Sequence, residues 1–75
     1  MIVKVKLMGA LREKSPEGNQ LELSDGASIN DVLGRLEITA PQVQIVLVNG
    51  KPQPDRSVAV EEGQELTILA PVGGG

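Results

Sequence analysis

From its second residue the chain alternates between apolar and polar positions. Val3, Val5 and Leu7 fall on one side and Lys4, Lys6 and Met8 on the other, which predicts a half-buried strand over residues 2–8. Pro16-Glu17-Gly18-Asn19 has turn composition, and Leu21 and Leu23 then resume the alternation, so the two segments read as a hairpin with a long loop. At Ser28 the period changes. Ile29, Val32, Leu33 and Leu36 fall at helical spacing behind a Ser28/Asp31 capping-box pattern, predicting an amphipathic helix over residues 29–37. Gly34 within it costs about 1 kcal/mol relative to alanine, a loss that close packing of the helix on a sheet would explain. Pro41 prevents any continuation.

Residues 42–48 form an apolar run of strand length in which either face is eligible for burial, ended by Asn49-Gly50, a dipeptide that tolerates positive φ in a tight turn. Pro52 and Pro54 remove backbone donors and leave at most a short edge strand in residues 55–60. Glu61-Glu62-Gly63-Gln64 makes a turn, and residues 65–69 read as a last strand with Leu66 and Ile68 on one face and Thr67 and Leu69 on the other. Four or five strands with a single helix to cover one face predict an α+β roll. Residues 1–70 then make one domain without repeats or linkers. Pro71-Val72-Gly73-Gly74-Gly75 suits neither helix nor strand interior and is expected to be a flexible tail.

Composition narrows the chemistry. Cysteine and histidine are both absent, so disulfides, thiol nucleophiles, structural zinc and mechanisms built on an imidazole base are excluded. A net charge of −3 without Phe, Tyr or Trp argues against nucleic acid, which needs a basic surface and, for single strands, stacking platforms. No apolar run approaches the roughly 20 residues of a membrane span, and no charged-then-apolar leader opens the chain, so a cytoplasmic location and no membrane partner are expected.

The remaining candidate for chemistry is the end of the chain. The six residues after Leu69 reach about 20 Å when extended, enough to enter a deep channel in a partner. Glycines lacking Cβ atoms thread a narrow slot, and Pro71 stiffens the base of the tail. The reacting group would be the α-carboxylate of Gly75. Because a carboxylate is a poor electrophile, it needs activation as a mixed anhydride, for which adenylation with ATP by a partner enzyme is the usual solution. By composition alone, three terminal glycines read more readily as an inert end, since glycine-rich ends are common.

The rest of the chain changes that balance. Residues 2–13 (Ile-Val-Lys-Val-Lys-Leu-Met-Gly-Ala-Leu-Arg-Glu), the helix opened by Ser28, Val48-Asn49-Gly50, Glu62-Gly63-Gln64-Glu65-Leu66 and the ending Pro71-Val72-Gly73-Gly74-Gly75 occur in that order. Together they resemble the ubiquitin-like β-grasp sulfur carriers of the MoaD/ThiS family, which comprises the molybdopterin synthase small subunit and the thiamine-pathway carrier. The resemblance implies a β-grasp roll, a mixed four- to five-stranded sheet with one helix on one face, whose first and last strands are central neighbours. It implies a carrier that is not itself an enzyme and binds no cofactor. An adenylyltransferase of the ubiquitin-activating type, using ATP, would activate Gly75, with Gly74 as the family's second terminal glycine. A sulfur donor would then make a thiocarboxylate, and a synthase subunit would accept the sulfur. Gly9-Ala10-Leu11-Arg12-Glu13 looks more like the molybdopterin type, slightly favoured here, whereas the short helix-to-strand connection and Val48-Asn49-Gly50 look more like the thiamine type. Molybdopterin-type subunits usually carry aromatic residues where this chain has Met8 and Leu69, and often proline where it has Ala70. Two alternatives share the fold: a protein modifier joined to other proteins through Gly75, and an interaction module with an inert tail.

Partner-binding candidates are Met8, Leu69, Pro71, Val72 and Gly73. Met8 and Leu69 lie on the polar faces of their strands and, with the first and last strands adjacent, form an apolar spot rimmed by charge near the tail's root. The plainer alternative makes Met8 a strand-end residue and Leu69 part of the core edge. Val46 or Val48 would extend the spot if Gln44 marks the exposed face of its strand. Glu61, Glu62 and Glu65 offer weak steering of a basic partner, and Arg12 a pairing with a partner's carboxylate, although solvated turns and local pairs are the commoner role of such residues.

Overall fold

The computed structural model describes residues 1–71. Five strands form one sheet: β1 (Ile2–Leu7), β2 (Gln20–Glu22), β3 (Ile45–Val48), β4 (Lys51–Pro52) and β5 (Glu65–Leu69), with one helix, α1 (Ile29–Arg35). Their order across the sheet is β2-β1-β5-β3-β4, so the first and last strands are the central pair. They run parallel with Val5 opposite Leu66 and Leu7 opposite Ile68, while β1/β2, β3/β5 and β3/β4 are antiparallel.

The alternation in β1 sets the layers. Val3, Val5 and Leu7 face inward with Leu66, Ile68 and Val46, and α1 adds Ile29, Val32 and Leu33 from above, with Leu36 just past its end, closing a core with no buried polar or charged residue among those described. Central strands with fully buried inner faces anchor a chain whose single helix covers only one face of the sheet.

The N-terminus of α1 is fully satisfied, which explains how a seven-residue helix holds. A helix start leaves four amides without intrahelical partners. Here Ser28 N donates to the Asp31 carboxylate at 2.8 Å and Asp31 N to Ser28 Oγ at 3.2 Å, the expected capping box. Ile29 N and Asn30 N donate to the carbonyls of Val58 and Arg56 at 3.1 and 2.9 Å. This also corrects the expected edge strand at 55–60. Carbonyls of that segment are drawn to the helix start, and among the described residues its strand-type pairing is a single bridge, Ser28 to Ala59. The edge strand lies earlier, at Lys51–Pro52, where proline is tolerated because the strand has only one partner.

The helix ends sooner than its apolar spacing predicts. Glu37 adopts φ 58°, its amide bonds Gly34 O, and Ile38 N bonds Leu33 O at 2.9 Å, a Schellman closure that carries Ile38 into the core. Strand β3 likewise starts at Ile45, not Gln42, because Thr39 and Gln42 form a reciprocal cap on a single 3-10 turn over Ala40–Gln42. Gly34 is not explained by close packing. It is exposed, and a methyl group built there would meet no atom within 4 Å.

Candidate functional site

The sheet face opposite α1 carries the candidate residues beside the end of β5. Outward from β1 point Ile2, Lys4 and Lys6. Met8 follows one residue beyond the strand, and its amide donates to Ile68 O at 3.0 Å, which continues the parallel register and sets Met8 beside Leu69. Met8 is exposed, and Leu69 is half-buried and outside the buried core. The pairing expected for these two residues is thus present, on the side of the sheet away from the helix.

The same register identifies two members that the sequence pattern missed and removes two that it offered. Ile45 pairs with Leu69 and Leu47 with Thr67, so both half-buried side chains share the outer face. Val46 pairs with Ile68 and is 1% exposed, and Val48 pairs with Leu66 and packs on the core, so neither extends the outer patch. Gln44 misled because it precedes the strand: its position at the end of the sheet leaves it exposed although it has the parity of buried Val46. Only knowledge of the β3/β5 register would have resolved an all-apolar run into its two faces.

The loops around the patch are fixed by backbone geometry. Asn49 and Gly50 have φ 51° and 85°, as a two-residue hairpin turn requires, and Asn49 also accepts from and donates to the backbone of Glu65 at 2.9 and 2.8 Å. Gly9 has φ 63°, and a Cβ there would lie 3.5 Å from the Cβ of Ala70. The entry to the tail is therefore packed against the segment following Met8. Pro71 is exposed at the end of the described residues, and Val72, Gly73, Gly74 and Gly75 lie outside them.

Polar groups elsewhere have structural duties. Glu62 accepts from Ile2 N at 2.9 Å, pinning the Glu61–Gln64 turn to β1. Asp55 accepts from the amide and hydroxyl of Ser57, and the hydroxyl and amide bonds hold its carboxyl below the usual range, in a loop after β4. Among the described residues no group of carboxylates is placed to hold a metal ion, and no helix is long and apolar enough to cross a membrane.

A mixed five-stranded sheet with a parallel central pair and one helix across one face defines the ubiquitin-like β-grasp class. Within that class the chain belongs to the ThiS family, whose family model matches residues 5–75. Solved structures agree in fold. SAMP1 from Haloferax volcanii matches with a TM-score of 0.70 at 22% identity, over 100% of both chains. A structure of the small archaeal modifier protein 1 of H. volcanii matches with a TM-score of 0.72 at 21% identity, over 95% of this chain and 98% of that one. The solution structure of the HVO 2177 protein of H. volcanii matches with a TM-score of 0.74 at 26% identity, over 100% of this chain and 87% of the other. None of the curated proteins compared matches the chain. Fold and family together make it a small ubiquitin-like β-grasp protein of the ThiS family.

Proposed function

We propose that the chain is a sulfur carrier whose Gly75 α-carboxylate is the working group. A partner adenylyltransferase of the ubiquitin-activating type joins that carboxylate to AMP, with pyrophosphate leaving from ATP. A sulfur nucleophile then attacks the acyl carbon, AMP departs, and the terminal group becomes a thiocarboxylate that donates sulfur to a synthase subunit. The observation that carries this reading is the route of β5. That strand lies in the middle of the sheet and leads through Ala70 and Pro71 toward the terminal glycines, beside the apolar outer patch of Met8, Leu69, Ile45 and Leu47. A partner docked on that patch receives the tail from a fixed origin, and a rigid origin reduces the ordering cost of insertion.

The acceptor pathway we assign is molybdopterin synthesis first and thiamine synthesis second. Two of the segments that bear on the choice have structural duties: Gly9 serves its positive φ and the contact with Ala70, and Asn49-Gly50 serves the hairpin and its tie to Glu65. Assay of sulfur transfer to both acceptor synthases decides between them. The second reading, a modifier conjugated to proteins through Gly75, is favoured by the fold shared with small archaeal modifier protein 1.

Incubation with the cognate activating enzyme, ATP and a sulfur source separates the readings. The carrier gains the mass difference of sulfur replacing oxygen at its terminus. The modifier gives higher-mass conjugates with other proteins. Deleting Gly75 is expected to abolish either outcome while leaving the thermal unfolding midpoint unchanged, because the core is built entirely from residues 3–68.

A further inference from the structure

The outer face carries a second feature beside the apolar patch. Between β1 and the segment connecting it to β2 lies a shallow concavity of about 770 Å³, whose lining includes Lys4, Lys6, Met8, Gly9, Arg12 and Glu65. Three of the chain's seven cationic side chains line it against one of its ten acids, so the remainder of this net −3 chain keeps four cations and nine acids. The cations here are also unengaged. Lys14 Nζ donates to Glu37 O at 2.8 Å and Arg35 Nη1 to Glu22 O at 3.2 Å. Among the described residues the exposed side chains of Lys4, Lys6 and Arg12 have no hydrogen-bonding partner. An acidic protein that gathers free cations on one face presents a local positive field there.

We propose that this concavity takes an extended acidic segment of a partner polypeptide. Lys4 and Lys6 are two residues apart on one face of β1, so they stand about 6.6 Å apart along the strand, the repeat at which alternate side chains of an extended peptide recur. Carboxylates at alternate positions of such a segment meet the two ammonium groups, and the Arg12 guanidinium donates two parallel bonds to a third. Single-stranded nucleic acid fits less well. The chain has no aromatic side chain on which to stack a base, and Glu65 in the lining opposes a continuous run of phosphates. The concavity opens at Gly9, against Ala70, so a partner bound there also holds the root of the tail. The inference rests on the carrier reading only in taking that partner to be an enzyme that handles the tail.

The test is a titration of the isotope-labelled full chain with an octapeptide that alternates Glu with Ser and Leu, followed by amide NMR shifts. Saturable shifts confined to residues 4–9, 12 and 65 are expected. The Lys4→Glu/Lys6→Glu variant should weaken binding about tenfold or more while leaving the unfolding midpoint in place. Raising salt from about 0.05 M to about 0.5 M should weaken it several-fold. The proposal is overturned by absence of saturable shifts, or by equal shifts at Lys51 and Arg56. It is equally overturned if a single-stranded oligonucleotide binds the same amides more tightly, or if dilution of the chain alone reproduces the shifts through self-association. If the titration fails while thiocarboxylate still forms at Gly75, only this inference falls; if no thiocarboxylate forms, the carrier reading falls and the titration is unaffected.

Discussion

Gly34 stands exposed on the outer side of α1, where a methyl group would touch nothing and where the backbone is ordinary right-handed helix. Glycine in a helix interior costs about 1 kcal/mol relative to alanine through the freedom it retains in the unfolded chain. Gly34→Ala is therefore expected to stabilise the protein by up to about that amount, raising the thermal midpoint by roughly 4–8 °C for a domain of this size. Loss of stability would mean that the helix contacts something on that side. Gly9 and Gly50 are different in kind, since both hold positive φ that a side chain would strain.

At the scale of elements, α1 depends on its start. Ser28→Ala removes one half of the capping box and should cost about 1 kcal/mol, read as a lower denaturant midpoint with unchanged slope. A pattern of Ser and Asp three residues apart made this cap legible in the sequence, as did the alternation of β1 and the Asn49-Gly50 turn, because each depends on neighbours in the chain. The other two amides of the helix start were not legible. Their acceptors, Val58 and Arg56, lie some thirty residues away and are delivered by the fold. The two faces of β3 were hidden for the same reason: four consecutive apolar residues carry no alternation, and only pairing with β5 separates Val46 from Ile45 and Leu47. Of the candidate site, Met8 and Leu69 were readable from their polar strand-mates, but the other half of the patch required the register.

That patch makes an element-scale prediction. Met8→Asp with Leu69→Asp places charge on the outer face without opening the core, so far-UV circular dichroism should remain native while KM for charging by the activating enzyme rises about tenfold or more. Ile2→Asp is the matched control. Ile2 is 42% exposed against 37% for Met8, on the same face but at the opposite end of β1, and its substitution should leave charging unchanged. An equal effect of both substitutions would indicate a loss of fold or a general charge effect rather than docking.

For the whole molecule, one layer of sheet and one short helix do two jobs. The inner face supplies nearly all the burial available to a chain of 75 residues, which leaves the outer face free of structural duty. The outer face then combines an apolar patch, a cation-lined concavity and the origin of the tail on and beside the central strands. Under the proposed function, what the fold contributes is presentation: a fixed base from which the terminal carboxylate would be offered to enzymes that supply ATP and sulfur.

The most direct measurement is therefore the intact mass of the chain after incubation with its activating enzyme, ATP and a sulfur donor, for the full chain and for the chain lacking Gly75. Replacement of one oxygen by sulfur is expected in the full chain, mapped to the terminal residue, and no change in the shortened one. An unchanged full chain that remains folded, or the same mass gain in the chain without Gly75, would contradict the carrier reading.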